Sequence, residues 1–314
     1  MSPSELLLIL LRSAFGWMFL GVGIGLIFNI RNAKITWFVK WACVRTTLPL
    51  LVFTRVALYF EPARSLDMVA IVISALGFLA LSYGGSLILT RTFAITQDHP
   101  TFHLGNSFHN YGFLSYGLVA NLLGEASMPQ LFIFVITLEA LLWTWGVKLV
   151  RNQEKTNWKN FISPPAIGMA LGLMYKGLGV FEMETTVLWP ALLFLGDIST
   201  PMALTGLGVL LYNISRQLHW QDFKSLDLAA SLIYRHFMFP ALVVSILLFT
   251  LPFGELRGIL LIQAIMPMAL MPINIVAIYG GDKKALGLAI CSSMLLCIIT
   301  IPCWLIFLKQ DILQ

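Results

Sequence analysis

Charge is scarce in this chain. Only 11% of its 314 residues are Asp, Glu, Lys or Arg, whereas 58% are hydrophobic. Soluble domains carry about 25% charged residues, so an ordinary soluble globular domain is excluded and a multi-spanning membrane protein is expected. Cysteine is nearly absent. Cys43, Cys291, Cys297 and Cys303 all fall in apolar runs, which leaves no zinc spacing and no secreted disulfide framework, only small core hydrophobes. Hydrophilic stretches are missing as well, apart from 151–160 (RNQEKTNWKN), which is too short to be a domain. There is no Gly-x-Ser-x-Gly elbow, no phosphate loop and no convergent metal set, so neither an enzyme nor a cofactor is expected. The opening residues, MSPSELLLIL, lack a basic n-region and a small-residue cleavage site, and read as the start of a first span. The net charge of +5 would suggest nucleic acid in a soluble chain. Here Lys and Arg flank the spans, so the expected partner is the lipid bilayer and not nucleic acid.

Apolar windows of roughly 20 residues divide the chain into about ten spans, near 5–29, 36–60, 66–90, 102–123, 129–150, 161–179, 187–213, 227–250, 256–279 and 284–308. The predicted fold class is an all-α polytopic membrane protein of the plasma or inner membrane. About twelve basic residues, from Arg31, Lys34 and Lys40 to Lys283 and Lys284, fall on one set of connections and about five on the other. The positive-inside rule then puts both termini outside. The tether 151–160 separates two halves, 1–150 and 161–314, of five spans each. Because five is odd, the halves have opposite topology. They also echo each other: Thr47-Leu48-Pro49 in the second span against Thr200-Pro201-Met202 in the seventh, and Gly124-Glu125 against Gly281-Asp282. Inverted repeats with interrupted spans in equivalent places are a mark of secondary transporters.

The ninth span contains the strongest local signal. In Gln263 to Asp282, QAIMPMALMPINIVAIYGGD, Pro267 and Pro272 interrupt a run long enough to cross a bilayer. Each removes a backbone donor and clashes with the preceding turn, and hydrocarbon offers the freed carbonyls no water. Such a break is tolerated where it is buried in protein or lines a cavity. Asn274 lies two residues beyond, and Met266, Met268 and Met271 are adaptable packing or the wall of a pocket. The fourth span carries Asn106, Ser107, His109, Asn110, Gly112 and Gly117 in an otherwise apolar run. These polar groups either bond neighbouring helices or mark an unwound stretch, near Gly112 to Gly117, whose half-helix N-terminus faces an anion. Asn110 would then orient a carboxylate without a permanent counter-charge.

Asp197, in the seventh span, is costly in a membrane. Its possible partners are Arg45, Arg55 and Arg235; it serves a structural ion pair, or it supports the site or couples protons. Glu139 beside Trp143 and Trp145 reads as packing or interface. His99 and His103 share the i, i+4 spacing of a metal pair, but Pro100 disfavours a helix at His99. His103 and His109 are also proton-sensing positions.

Taken together, these segments resemble the auxin efflux carrier family. His109-Asn110-Tyr111-Gly112-Phe113-Leu114-Ser115-Tyr116-Gly117, ending at Gly124-Glu125, is similar to its fourth-span motif. Ile265-Met266-Pro267, Pro272 and Ala277-Ile278-Tyr279-Gly280 are similar to its ninth span, Leu48-Pro49-Leu50-Leu51 to its second, Asp197 through Gly208 to its seventh, and Pro164-Pro165 to the start of its sixth. The chain resembles a prokaryotic-type member, since no long loop follows the fifth span. The family usually has proline at the fourth-span crossover, where this chain has Gly117.

The resemblance implies ten helices in two inverted five-helix repeats, with the fourth and ninth broken and crossing. Helices one, two, six and seven would form a scaffold, through which homodimers assemble, and helices three to five and eight to ten a moving transport domain. It further implies elevator-type carriage of a small organic anion, a dicarboxylate or an auxin-like acid. Asn110, Gly112, Gly117, Pro267, Pro272 and Asn274 would bind the substrate, with Asn106 and Asp197 in support. Two alternatives remain from the sequence: a sodium-coupled symporter of the bile-acid type, which shares the crossed helices, and a membrane sensor that binds a ligand without moving it.

Overall fold

A computed structural model describes residues 3–28, 42–61, 65–96, 98–151, 163–178, 186–216, 224–251 and 254–312. The tether at 152–160, the connection bearing Arg31, Lys34 and Lys40, and the acids Glu182 and Glu184 lie outside the described residues. The described residues contain helices and no β-strand.

Helix α1 (Pro3–Leu10) passes through a π-helical turn (Leu11–Phe15) into α2 (Gly16–Phe28). A second such turn (Cys43–Thr47) leads into α3 (Leu48–Tyr59), and α4 spans Ser65–Thr92. Helices α5 (His99–Ser107) and α6 (Phe113–Leu122) follow, then α7 (Met128–Leu141), a π turn (Leu142–Gly146) and α8 (Val147–Arg151). The second half holds α9 (Pro164–Leu178), α10 (Leu188–Asp197), α11 (Ser199–Ser215) and α12 (Leu226–Ile233). A π turn (Tyr234–Met238) joins α12 to α13 (Phe239–Thr250). Helices α14 (Glu255–Ala264), α15 (Pro272–Tyr279), α16 (Lys283–Phe307) and α17 (Lys309–Ile312) complete the chain.

Among the described residues, five helical runs are long and apolar enough to cross a membrane: Met68–Thr92, Glu125–Val150, Leu188–Asn213, Leu226–Thr250 and Lys283–Phe307. Their outward faces carry large apolar side chains such as Phe249, 90% exposed, as lipid contact requires. The two segments singled out as irregular are those whose helices are interrupted, at 108–112 between α5 and α6 and at 265–271 between α14 and α15.

The structure corrects two local expectations. Helix α5 begins at His99 in spite of Pro100, because proline in the first turn replaces an N–H that has no intrahelical acceptor. The Asp98 carboxylate caps that turn by accepting from the Thr101 N–H. The fourth break ends at Gly112, so Gly117 sits inside regular α6 and not in an unwound stretch.

Prolines account for one of the π turns in detail. Pro240 follows the turn Tyr234–Met238 and cannot donate to the carbonyl four residues back, that of His236. The Trp304 indole N–H takes that carbonyl instead, at 2.9 Å. Two backbones pack most closely where glycine removes the Cβ. A Cβ at Gly208 would meet the Met18 carbonyl oxygen at 2.0 Å, and one at Gly168 the Pro49 carbonyl oxygen at 2.3 Å. Gly196 against Leu51 completes this set, which joins α2, α3, α9, α10 and α11. A second set, including Gly85 on Tyr234, Gly105 on Leu286 and Gly258 on Leu123, ties α4 to the π turn after α12, α5 to α16 and the end of α6 to α14, while α7 packs on α4, α13 on α14 and α8 on α15. Among the described residues no glycine contact joins one set to the other.

Candidate functional site

The two interruptions meet. The Asn110 N–H donates to the Pro267 carbonyl at 2.7 Å and the Ala269 N–H to the Phe108 carbonyl at 3.0 Å, so His109 and Met268 form a short antiparallel bridge. Local sequence makes this possible from both sides. Phe108 is extended, with φ −110° and ψ 119°, which ends α5. Pro267 disfavours helical backbone at Met266, which keeps α14 from continuing past Ala264. Pro272 then starts α15 from its first turn, where proline fits. Neither extended piece satisfies its own backbone, and buried backbone polar groups must be paired. Each break supplies the other's partners.

Four helix ends therefore converge: the C-terminal ends of α5 and α14 and the N-terminal ends of α6 and α15. The first N–H groups of a helix have no intrahelical acceptor and carry partial positive charge. Asn110 lies in the fourth break and Gly112 is the residue capping α6. Asn274 is in the first turn of α15, its amide on the Met271 sulfur at 3.3 Å. Met266 and Met268 are fully buried packing between the breaks.

Side chains around the breaks hold them in register. His109 Nε2 is 3.0 Å from Gln263 Oε1, and the Gln263 amide N–H donates to the Tyr111 carbonyl at 3.4 Å. Ser293 Oγ accepts the Met268 N–H at 2.9 Å and lies 2.8 Å from His236 Nε2. The Thr300 hydroxyl donates to the Leu296 carbonyl at 3.3 Å and accepts from His236 Nδ1–H at 2.9 Å. Asn106 bonds the Phe102 carbonyl and the Ser231 hydroxyl, joining α5 to α12. His103 contacts Ser86 at 2.7 Å.

In the sequence, Arg235 stands out only as one of three possible partners for Asp197. The structure gives it another place. It is fully buried in the π turn after α12. One guanidinium nitrogen, Nη2, donates to the Ala264 carbonyl at 3.0 Å, at the last residue before the ninth break. The guanidinium carbon lies 4.2 Å from the centre of the Phe239 ring. Nε and Nη1 have no hydrogen-bond partner, and no carboxylate pairs with the group among the described residues. The signal that could have found it is an arginine in mid-span, which is functional by default.

Asp197 belongs to a different cluster. It ends α10 and binds Arg55, Nη2 to Oδ1 at 2.6 Å. The same Nη2 lies 3.0 Å from Glu125 Oε1, and the Tyr59 hydroxyl donates to Glu125 Oε2 at 3.1 Å. Of the three arginines considered for Asp197, Arg55 is the one that holds it. Glu139 bonds the Ser163 hydroxyl.

Residues 149–305 match the family described as membrane transport protein. The chain belongs to this membrane transport protein family. The matched half runs from α8 to α16 and includes Pro267, Pro272, Arg235 and His236. Membership agrees with the resemblance to auxin efflux carriers and makes the protein a membrane transporter. No curated protein matches the chain.

Proposed function

We propose that this transporter is a secondary carrier of a small organic anion, with its binding site at the paired breaks of the fourth and ninth segments. One observation carries the reading: two interrupted helices hydrogen-bonded to each other through Asn110 and Pro267, with two half-helix N-termini and a buried, incompletely bonded Arg235 beside them. Half-helix N-termini aimed at an anionic group recur in secondary transporters. An unpaired buried guanidinium is expensive, and an anion would relieve it. Asn110, Gly112, Pro267, Pro272 and Asn274 would hold the carboxylate, with Gly117 shaping α6 behind them and Asn106 bracing α5.

Alternating access by an elevator-like shift is part of the same proposal. The two glycine-packed groups of helices support it: α2, α3, α9, α10 and α11 as scaffold, the site-bearing helices as the moving part. The first group would supply a dimer interface. The local likeness of Gly124 and Gly281, both at positive φ (90° and 116°) after the two broken segments, supports an inverted repeat.

The test is uptake of radiolabelled malonate and malate into proteoliposomes, with a panel of mono- and dicarboxylates as competitors. Wild-type protein should accumulate at least one of them, and Asn110→Ala should lose uptake roughly ten-fold or more, the effect of about 1.4 kcal/mol or more of lost binding. Uptake by Asn110→Ala at the wild-type rate overturns the site. Binding without counterflow in the wild type would favour a sensor, and flux that depends on a sodium gradient would favour the sodium-coupled reading.

A further inference from the structure

We propose that Arg55 and Glu125 form an ion-pair latch between the two helix groups, with Asp197 holding the guanidinium permanently on one of them. The inference rests on the two-group movement proposed above. Arg55 is on α3 and Asp197 ends α10, two helices keyed together where Gly196 packs on Leu51. Glu125 belongs to the other group. It directly follows Gly124, whose φ of 90° turns the chain from α6 to α7. It is therefore tied through α6 to the fourth break, and a displacement of Glu125 is a displacement of the site's half-helix.

Several side-chain bonds stay within one group. Cys43 meets Ser199 and Lys176 meets the Leu58 carbonyl in the first. Asn106 meets Ser231, Thr96 meets Asp227 and His109 meets Gln263 in the second. Glu125 reaches across to Arg55 and Tyr59, and Glu139 crosses further along α7 to Ser163.

The unequal burial of the three charges makes Arg55–Glu125 the bond that opens. The Arg55 side chain is only 8% exposed, whereas those of Glu125 and Asp197 are 45% and 52% exposed. Orphaning a buried charge is costly, and Asp197 prevents it, since Arg55 keeps that partner at 2.6 Å when Glu125 leaves. A half-exposed carboxylate is cheap to release by comparison. The arrangement resists motion without forbidding it.

The experiment is pulsed electron resonance distance measurement between spin labels, in a background with the four native cysteines replaced. One pair, Val187→Cys with Phe249→Cys, joins the two groups; a control pair, Ile88→Cys with Phe249→Cys, lies within one group. All three positions are exposed. Glu125→Gln keeps size and removes charge. It should raise a second population of the between-group distance roughly two- to five-fold, the effect of losing one exposed pair, and leave the control distance unchanged. Tyr59→Phe should give a smaller rise in the same direction. An unchanged between-group distribution in both variants overturns the latch. Equal broadening of the control pair overturns the division into two groups, and the latch with it.

Discussion

Asn110 donates its backbone N–H to the carbonyl of Pro267 across 157 residues of chain, at 2.7 Å. The side chain of Asn110 and its backbone thus have separable duties. At the proposed site the amide would serve a ligand, while the N–H pairs the fourth break with the ninth.

That separation predicts different outcomes for two substitutions at one position. Asn110→Ala keeps the N–H and should leave the thermal midpoint close to wild type while removing anion uptake. Asn110→Pro removes the donor and strands the buried Pro267 carbonyl, at a cost of about 1–3 kcal/mol, so the midpoint should fall as well. Thermal unfolding in detergent separates them; equal midpoints would mean the bridge does not brace the breaks.

Arg235 should matter to anions more than to stability. Arg235→Gln keeps a donor for the Ala264 carbonyl and removes the charge. We expect the stabilisation of the purified protein by malonate or malate to weaken at least about ten-fold in apparent affinity. Isothermal titration with the responsive acid checks it. Unaltered affinity would assign Arg235 to capping α14 alone.

The bond from Trp304 to the His236 carbonyl exists because Pro240 cannot make it. Trp304→Phe should therefore destabilise the protein by about 1–3 kcal/mol. In a Pro240→Ala background the backbone N–H returns, and the same substitution should cost less, with a coupling of about 0.5–3 kcal/mol in the double-mutant cycle. Strict additivity would contradict this account of the π turn.

Gly208 and Gly77 are both helical, but only one is in a tight contact. A Cβ at Gly208 would fall 2.0 Å from the Met18 carbonyl oxygen, whereas nothing lies within 4 Å of one at Gly77. Gly208→Ala should cost about 3 kcal/mol or more through overpacking against backbone. Gly77→Ala should be neutral or stabilise by up to about 1 kcal/mol. Comparing unfolding midpoints of the two variants decides the point.

Several features are legible in the sequence because they follow from local chemistry. Low charge and long apolar runs require a membrane. Pro267 and Pro272 forbid an unbroken ninth helix, and the motifs around them point to the transporter family. The fourth break is harder to read. Glycine permits an interruption without enforcing one, so local pattern extends the unwound stretch as far as Gly117, whereas it ends at Gly112. Its position is set by Phe108 and Asn110 finding partners on the ninth segment, a constraint that no local pattern contains.

Charge partners are hidden for a similar reason. Arg45, Arg55 and Arg235 are alike as mid-span cations in a linear chain. Which of them binds Asp197, and which lies beside the ninth break with two nitrogens unbonded, depends on how α3, α10 and α12 pack. Composition and proline placement determined that the chain lives in a bilayer and must break a helix there, since both are costs borne within a single segment. Tertiary structure alone decided what meets the break, because a buried donor or charge is satisfied by whatever the fold brings within about 3 Å of it.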